Sequence, residues 1–337
     1  MADTKDKELK ALLDKMSKVH ETTISMIKDM DNQPALEVIP SGSYSIDDAL
    51  GAGGYPRGRV VEIFGRESGG KTTLCLLGIA ACQREGGVAA FIDVENSLSL
   101  DWAQKLGVDT DKLIFNQPDS GEQALNIVKD LVESNLVDMI VVDSAAALVP
   151  KQEIDGEIGD QSMALQARLL GQGIRLLVRS AAKSKCVLIF INQLRDTMAM
   201  YGPKETTPGG RALKFYSSVR LAVNKVSGSE IKVKKGNGEE GESGEVLGHR
   251  VNVKVVKNKV GRPMCEAEFD LRYTEGIDRF KELLTIGIAR DVIKQNGPMF
   301  SFGPVTAKGI EKFAEELKPN EKLQKELWEA VLATKKL

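Results

Sequence analysis

The eight residues Gly65-Arg66-Glu67-Ser68-Gly69-Gly70-Lys71-Thr72 constrain this chain more than any other stretch. They follow the β-branched run Val60-Val61-Glu62-Ile63-Phe64 and open the helical pattern Thr72 to Arg84, which stops at Gly86-Gly87. A glycine-rich turn between strand and helix lets backbone N–H groups curl around an anion with no side chain in the way. The helix start then directs its positive end at the same point. Here Lys71 is expected to reach the terminal phosphates and the Thr72 hydroxyl to bind magnesium. Such a loop implies a nucleoside triphosphate held with Mg2+, and its hydrolysis.

Further β-branched runs alternate with helical patterns: 88–94, 138–143, 187–192, 218–223 and 251–256. That alternation predicts an α/β domain around a mainly parallel sheet. Ile140-Val141-Val142-Asp143 ends one strand on a carboxylate, placing Asp143 to hold magnesium through water. Asp93 and Glu95 end another, and hydrolysis needs a group beside the γ-phosphate that orients or deprotonates water. Glu95 is the candidate, although the two acids share a strand face and periodicity does not separate their roles.

The chain has 337 residues and a net charge of −2, so any nucleic-acid contact must come from a local basic surface. The polar N-terminus shows no signal peptide, and no apolar run is long enough to span a bilayer. Its 4 cysteines form no Cys-x-x-Cys pair and its 2 histidines cannot complete a metal cluster, so a reducing cytoplasm is the expected setting. Cys75 and Cys82, seven apart on a helical pattern, read as core residues.

Leu9, Leu12, Leu13, Met16 and Val19 outline an amphipathic N-terminal helix, which either caps its own domain or docks on a neighbouring subunit. Ser227 to His249, rich in Gly, Glu and Lys, reads as an exposed hairpin or loop without chemistry. Helical periodicity resumes near Glu275 and again over Leu323, Leu327, Trp328 and Val331. The expected organisation is an N-terminal helical arm (1–36), an ATPase core (37–273) and a small α-rich C-terminal module (274–337).

The P-loop, Phe91 to Glu95, Ile140 to Ser144 and Ile189-Phe190-Ile191-Asn192-Gln193 together resemble the bacterial RecA recombinases. So do Leu50 to Gly54, Glu205-Thr206-Thr207, Gly209-Gly210, Ala212 to Tyr216 and Val255-Val256-Lys257-Asn258-Lys259, nearly collinear from Leu9 to Gly287. The resemblance implies a single-stranded-DNA-dependent ATPase that forms filaments, exchanges strands with a homologous duplex in DNA repair, and stimulates cleavage of a LexA-type repressor. It makes Glu95 the activator of water and Gln193 the sensor that passes the γ-phosphate's presence to a DNA loop. Thr73 completes the cradle, and Trp102 and Tyr273 take the adenine-side positions. Arg66 stands where a proline is common, Gly69 where a serine is, and Ser99 where an aspartate is.

Two segments resemble the family's DNA-binding loops: about 155–163, with Met163 followed by Arg168, Gly171 and Arg175, and about 194–211, with Arg195, Met198, Gly209, Gly210 and Arg211. Arg195 to Lys225 holds six basic residues against two acids, a surplus that suits single-strand binding. Met163 and Met198 suit wedging between bases. The second loop is one residue short of the family pattern, and Asp196 follows Arg195 directly. The resemblance also places ATP at a head-to-tail interface, with Lys257 and Lys259 reaching in from the next subunit and Lys214 and Phe215 at the contact. The family's acidic tail is not seen beyond Leu337. A binding filament without efficient exchange and a ring-shaped motor on the same fold are the competing readings.

Overall fold

A computed structural model describes residues 2–26, 36–157, 163–196, 205–232 and 246–334. Two compact units are present, residues 1–37 and 38–337. In the first, α1 (Ala2–Val19) carries the anticipated apolar stripe, and Leu9, Leu12, Met16 and Val19 on it are exposed.

In the second unit β1 (Val38–Ile39) pairs antiparallel with β2 (Tyr55–Pro56) across α2 (Tyr44–Leu50). The alternation foreseen from the β-branched runs then begins with β3 (Val60–Gly65), α3 (Lys71–Arg84), β4 (Ala89–Asp93), α4 (Leu100–Lys105) and β5 (Ile114–Asn116). It continues through α5 (Gly121–Glu133), β6 (Met139–Asp143), α6 (Lys151–Ile154), α7 (Met163–Ser184) and β7 (Val187–Gln193). A short ladder of β8 (Arg195–Asp196) and β9 (Glu205–Thr206) leads to α8 (Ala212–Tyr216). Three antiparallel strands, β10 (Val219–Lys232), β11 (Val246–Asn258) and β12 (Glu266–Arg272), and the two-residue β13 (Gly276–Ile277) complete the sheet.

Among the described residues the nine strands lie in the order β13-β12-β11-β10-β3-β7-β6-β4-β5. Every pair from β10 to β5 is parallel. β3, β4, β6 and β7 are buried on both faces, which is why they read as continuous apolar runs rather than alternating ones. One face packs on α3 through Leu74, Leu76 and Ile79, the other on α5 and α7 through Val128, Ile174 and Leu177. This arrangement brings the carboxyl ends of β3, β4, β6 and β7 side by side, where open α/β sheets place their ligands.

The C-terminal stretch is helical as its periodicity implied, in α9 (Arg279–Ala289), α10 (Ile310–Leu317) and α11 (Glu321–Ala333). It also contains an antiparallel sheet of β14 (Lys294–Asn296), β15 (Met299–Phe302) and β16 (Val305–Lys308), strands too short to leave a period-2 signal. Leu283, Phe313, Leu317 and Leu327 form its own apolar core, and Tyr44 of α2 meets Trp328 there at 4.8 Å between ring centroids.

Of the stretch anticipated as an exposed hairpin or loop, Ser227 to His249, the described ends 227–232 and 246–249 belong to two strands paired antiparallel. β10 runs to Lys232 and β11 starts at Val246, with residues 233–245 outside the described set. His249 at its end is 2% exposed, because it pairs with Leu271 of β12 in the body of the sheet.

Candidate nucleotide site and nucleic-acid face

The cradle forms where β3 hands over to α3. Gly65 closes so tightly on β10 that a Cβ there would sit 2.0 Å from the Val223 carbonyl oxygen. Gly70 caps α3 in the left-handed region (φ 93°), and a Cβ there would meet Leu271 at 3.0 Å. Ser68 and Gly69 continue the loop and line the same cavity as Lys71, Thr72 and Thr73. The Lys71 ammonium folds back to donate to the Arg66 carbonyl at 2.7 Å. Burial lowers its pKa, opposed by the charges of Asp143, Glu95 and Glu67.

The Thr72 hydroxyl donates to Asp143 Oδ2 at 2.7 Å. Burial pushes the Asp143 carboxyl up to about 6, against that hydrogen bond and with Glu95 and Asp93 adding to the rise. A hydroxyl and a carboxylate in contact at the mouth of the phosphate loop are oxygen donors of the kind magnesium takes. Among the described residues no three His, Cys, Asp or Glu side chains gather into a protein-only cage. Such a donor set fits an ion completed by phosphate and water.

Tertiary geometry separates the two acids that periodicity left together. Asp93 is 1% exposed and accepts from the Ser97 and Leu98 amides and from Gln117 Nε2, so it shapes the turn after β4. Glu95 lies just beyond the strand and is exposed. Its Oε1 accepts from Gln193 Nε2 at 2.9 Å and from the Ser144 hydroxyl. Gln193 ends β7 beside Gly65, in register across the parallel β3–β7 pair.

Trp102, His249, Leu271 and Tyr273 complete a cavity of about 490 Å³ with Ser68 to Thr73. Trp102 Nε1 donates to the Thr73 hydroxyl at 3.2 Å, and Ser99 caps α4 by accepting from the Trp102 amide. The Tyr273 hydroxyl meets His249 Nδ1 at 2.9 Å. Burial lowers the His249 pKa, with Lys225 assisting.

The expected DNA segments fall partly outside the described residues: 158–162, and 197–204 with Met198. Met163 is described only as the backbone start of α7. Arg168, Gly171 and Arg175 follow at helical spacing on α7, and both arginines are exposed. Gly209 (φ 81°) and Gly210 (φ 74°) lie against that helix, where added Cβ atoms would stand 2.3 Å from Leu170 Cδ1 and 3.0 Å from Ala167 Cβ. Both loop stems thus converge on α7, with Arg195 and Arg211 exposed at the ends of the second segment.

The basic surplus between Arg195 and Lys225 is smaller at the surface than by count. Arg220 is spent on the buried Glu62, Nε to Oε2 at 2.5 Å, and Lys214 donates to the Thr206 hydroxyl at 2.7 Å. Lys257 donates to the Lys214 and Phe215 carbonyls at 2.7 and 2.9 Å, tying off α8. Burial lowers its pKa, with Lys259 and Arg220 contributing. Neither Lys257 nor Lys259 is among the residues lining its own chain's cavity, while Phe215 is 66% exposed.

Sequence reading missed four participants. Glu205 pairs with Arg66 and ties the phosphate loop to the β8–β9 ladder. Ser144, His249 and the Glu62–Asn192–Arg220 cluster are the others. Their contacts are remote in sequence: Glu205 and Arg66 stand 139 positions apart, Ser144 and Glu95 49, and Glu62 and Arg220 158.

Residues 7–278 match the family model described as the RecA N-terminal domain. The chain is 53% identical over 299 residues to Protein RecA of Thermus aquaticus, covering 88% of this chain and 85% of that one. It is 51% identical over 294 residues to Protein RecA of Clostridium tetani (87% and 81% covered). With Protein RecA of Citrifermentans bemidjiense it shares 48% over 304 residues (89% and 87% covered). With the family model matched across the phosphate cradle, Glu95, Gln193 and α7, this chain belongs to the RecA family, the ATP-hydrolysing recombinases of DNA repair.

Proposed function

We propose that this chain binds ATP and magnesium, polymerises on single-stranded DNA and exchanges that strand with a homologous duplex. The observation carrying the coupling is the Gln193–Glu95 hydrogen bond of 2.9 Å. It joins a group beside the phosphate cradle to the last residue of β7, from which the second DNA segment departs.

Glu95 acts as the general base. Gln193 and Ser144 both bond its Oε1, which fixes the carboxylate and leaves Oε2 to take the proton of the attacking water. Lys71 exchanges its bond to the Arg66 carbonyl for the terminal phosphates, and the loop amides hold the rest. Thr72 and Asp143 hold the magnesium ion, which neutralises phosphate charge. Trp102 and Tyr273 flank the adenine ring. When a γ-phosphate draws the Gln193 amide away from Glu95, the pull passes from the end of β7 directly into the segment after it.

Arg168, Arg175, Arg195 and Arg211 supply phosphate contacts, Gly171, Gly209 and Gly210 admit the strand closely, and Met163 and Met198 wedge between bases. In the filament Lys257 and Lys259 approach the neighbour's ATP, Lys214 and Phe215 pack at the contact, and the exposed stripe of α1 docks on the adjacent copy. The three-part organisation with boundaries near 36 and 273 follows from those roles, and the assembled filament is the surface for a LexA-type repressor. Among the described residues no helix is long and apolar enough to cross a membrane, and we place the work in the cytoplasm.

Steady-state ATP turnover with and without single-stranded DNA, run beside a joint-molecule assay, tests this reading. Stimulated turnover with joint molecules is expected. Turnover that ignores DNA, or stimulation without joint molecules, would refute it.

A further inference from the structure

His249 brings to the nucleotide cavity a buried polar atom that the phosphate chemistry leaves unexplained. It is 2% exposed, yet its Nε2 is a buried polar atom with no hydrogen-bond partner. Leaving such an atom unpaired is costly, so a buried orphan lining a ligand cavity points to a bond the ligand completes. The other ring nitrogen is engaged: Nδ1 meets the Tyr273 hydroxyl at 2.9 Å, and the two rings stand 5.6 Å apart at 55°. His249 is held by the sheet, since it is paired with Leu271 inside the β11–β12 ladder, and both residues line the cavity with Trp102. A side chain so fixed is suited to reading a ligand rather than adapting to it.

We assign the tautomer from the partner. A phenol O–H is the stronger donor and a neutral imidazole nitrogen the stronger acceptor, so Tyr273 donates to Nδ1 and the ring proton sits on Nε2. The lowered pKa of His249 agrees with a neutral ring. We infer that His249 is a base-reading residue: its Nε2–H donates to a ring nitrogen of the purine held at this site, while Nδ1 fixes the Tyr273 ring against the base. This inference rests on the ATP-site reading above and adds to it a polar, edge-specific contact between two stacking rings. Pyrimidine triphosphates present a different edge there and are disfavoured.

Equilibrium binding of ATP, of 1-deaza-, 3-deaza- and 7-deaza-ATP, and of inorganic tripolyphosphate to the full chain tests it. In the wild type one deaza analogue should bind about five- to tenfold more weakly than ATP, the worth of one neutral hydrogen bond. His249→Ala should weaken ATP by a similar factor, bind that analogue and ATP equally, and leave tripolyphosphate unchanged. His249→Gln, whose amide reaches as far as Nε2, should restore the discrimination, whereas His249→Asn should not. KM should rise in His249→Ala with kcat nearly unchanged, because the contact is remote from the γ-phosphate. Three deaza analogues binding as ATP does, or discrimination surviving in His249→Ala, would overturn the inference. Loss of ATP and tripolyphosphate binding together would instead indict the cradle, and retained ATP affinity in Lys71→Ala would overturn the site reading itself.

Discussion

Replacing Glu62 by glutamine removes one negative charge from a place that water does not reach. Glu62 is fully buried on β3, its Oε2 accepting from Arg220 Nε at 2.5 Å and its Oε1 from Asn192 Nδ2 at 3.1 Å. Arg220 is 15% exposed and lies over the Phe64 ring at 4.4 Å, so its guanidinium has little solvent to fall back on. Glutamine keeps an acceptor for Asn192 but turns an amide toward Arg220, leaving a buried cation unpaired. Breaking one side of such a pair costs about 3–5 kcal/mol. Removing both charges, in Glu62→Gln with Arg220→Gln, should recover roughly half of that loss, because no ion is then left uncompensated. Urea unfolding of the nucleotide-free chain, followed by circular dichroism, reads the difference directly. A loss below about 1 kcal/mol in the single variant, or strict additivity in the double, would show the pair to be solvated and the reasoning wrong. The same substitution reaches function, since Asn192 also donates to the Pro208 carbonyl at 3.4 Å and adjoins Gln193.

Asp47 provides a pH test. Burial raises its pKa from 3.8 to about 7, against hydrogen bonds from Ser41 and the Arg279 charge, with Glu282 adding to the rise. The folded state therefore holds its proton longer than the unfolded one, so the contribution is full below about pH 4 and is lost as pH rises toward 7. Between pH 5 and 8 it amounts to roughly 2–3 kcal/mol. Asp47→Asn should flatten the stability profile by that amount, and an unchanged profile would exclude Asp47 as its source. Glu95→Gln should cut turnover by about 10²–10⁴ while ATP still binds, and near-normal turnover would remove Glu95 from its role. Arg175→Ala should weaken single-strand binding and reduce the salt slope of log K by about 0.7; an unchanged slope would mean that Arg175 touches no phosphate. Gly209→Ala, strained at φ 81° and directed at Leu170, should cost about 1–3 kcal/mol or displace the second segment from α7, and hydrogen exchange on α7 would register either.

What could be read in advance were features written in consecutive residues. The phosphate loop was legible because β-branched strand, glycines and helix start are contiguous, and each is required by backbone geometry at Gly65 and Gly70. The parallel core was legible because strands buried on both faces are uniformly apolar. Cys75 and Cys82 were legible as core, and both are buried. The small sheet after α9 was not, since strands of three or four residues carry no measurable period. The burial of His249 was not legible because it closes a segment rich in Gly, Glu and Lys, while burial there comes from β12 pairing across.

The sequence by itself determined that this chain makes an α/β sheet ending in a phosphate cradle, with Asp143 at the end of one strand and Glu95 just beyond another. Those facts are local: chain stereochemistry and apolar period act within a few residues of one another. Tertiary structure separated the two acids, holding Asp93 in the turn after β4 and leaving Glu95 beside Gln193. It also withdrew Arg220 from the basic surface into a pair with Glu62, and set His249 and Tyr273 against the cavity wall. Those outcomes depend on strand order, which juxtaposes residues as remote as Glu62 and Arg220, 158 positions apart, a distance over which no sequence pattern carries information about contact.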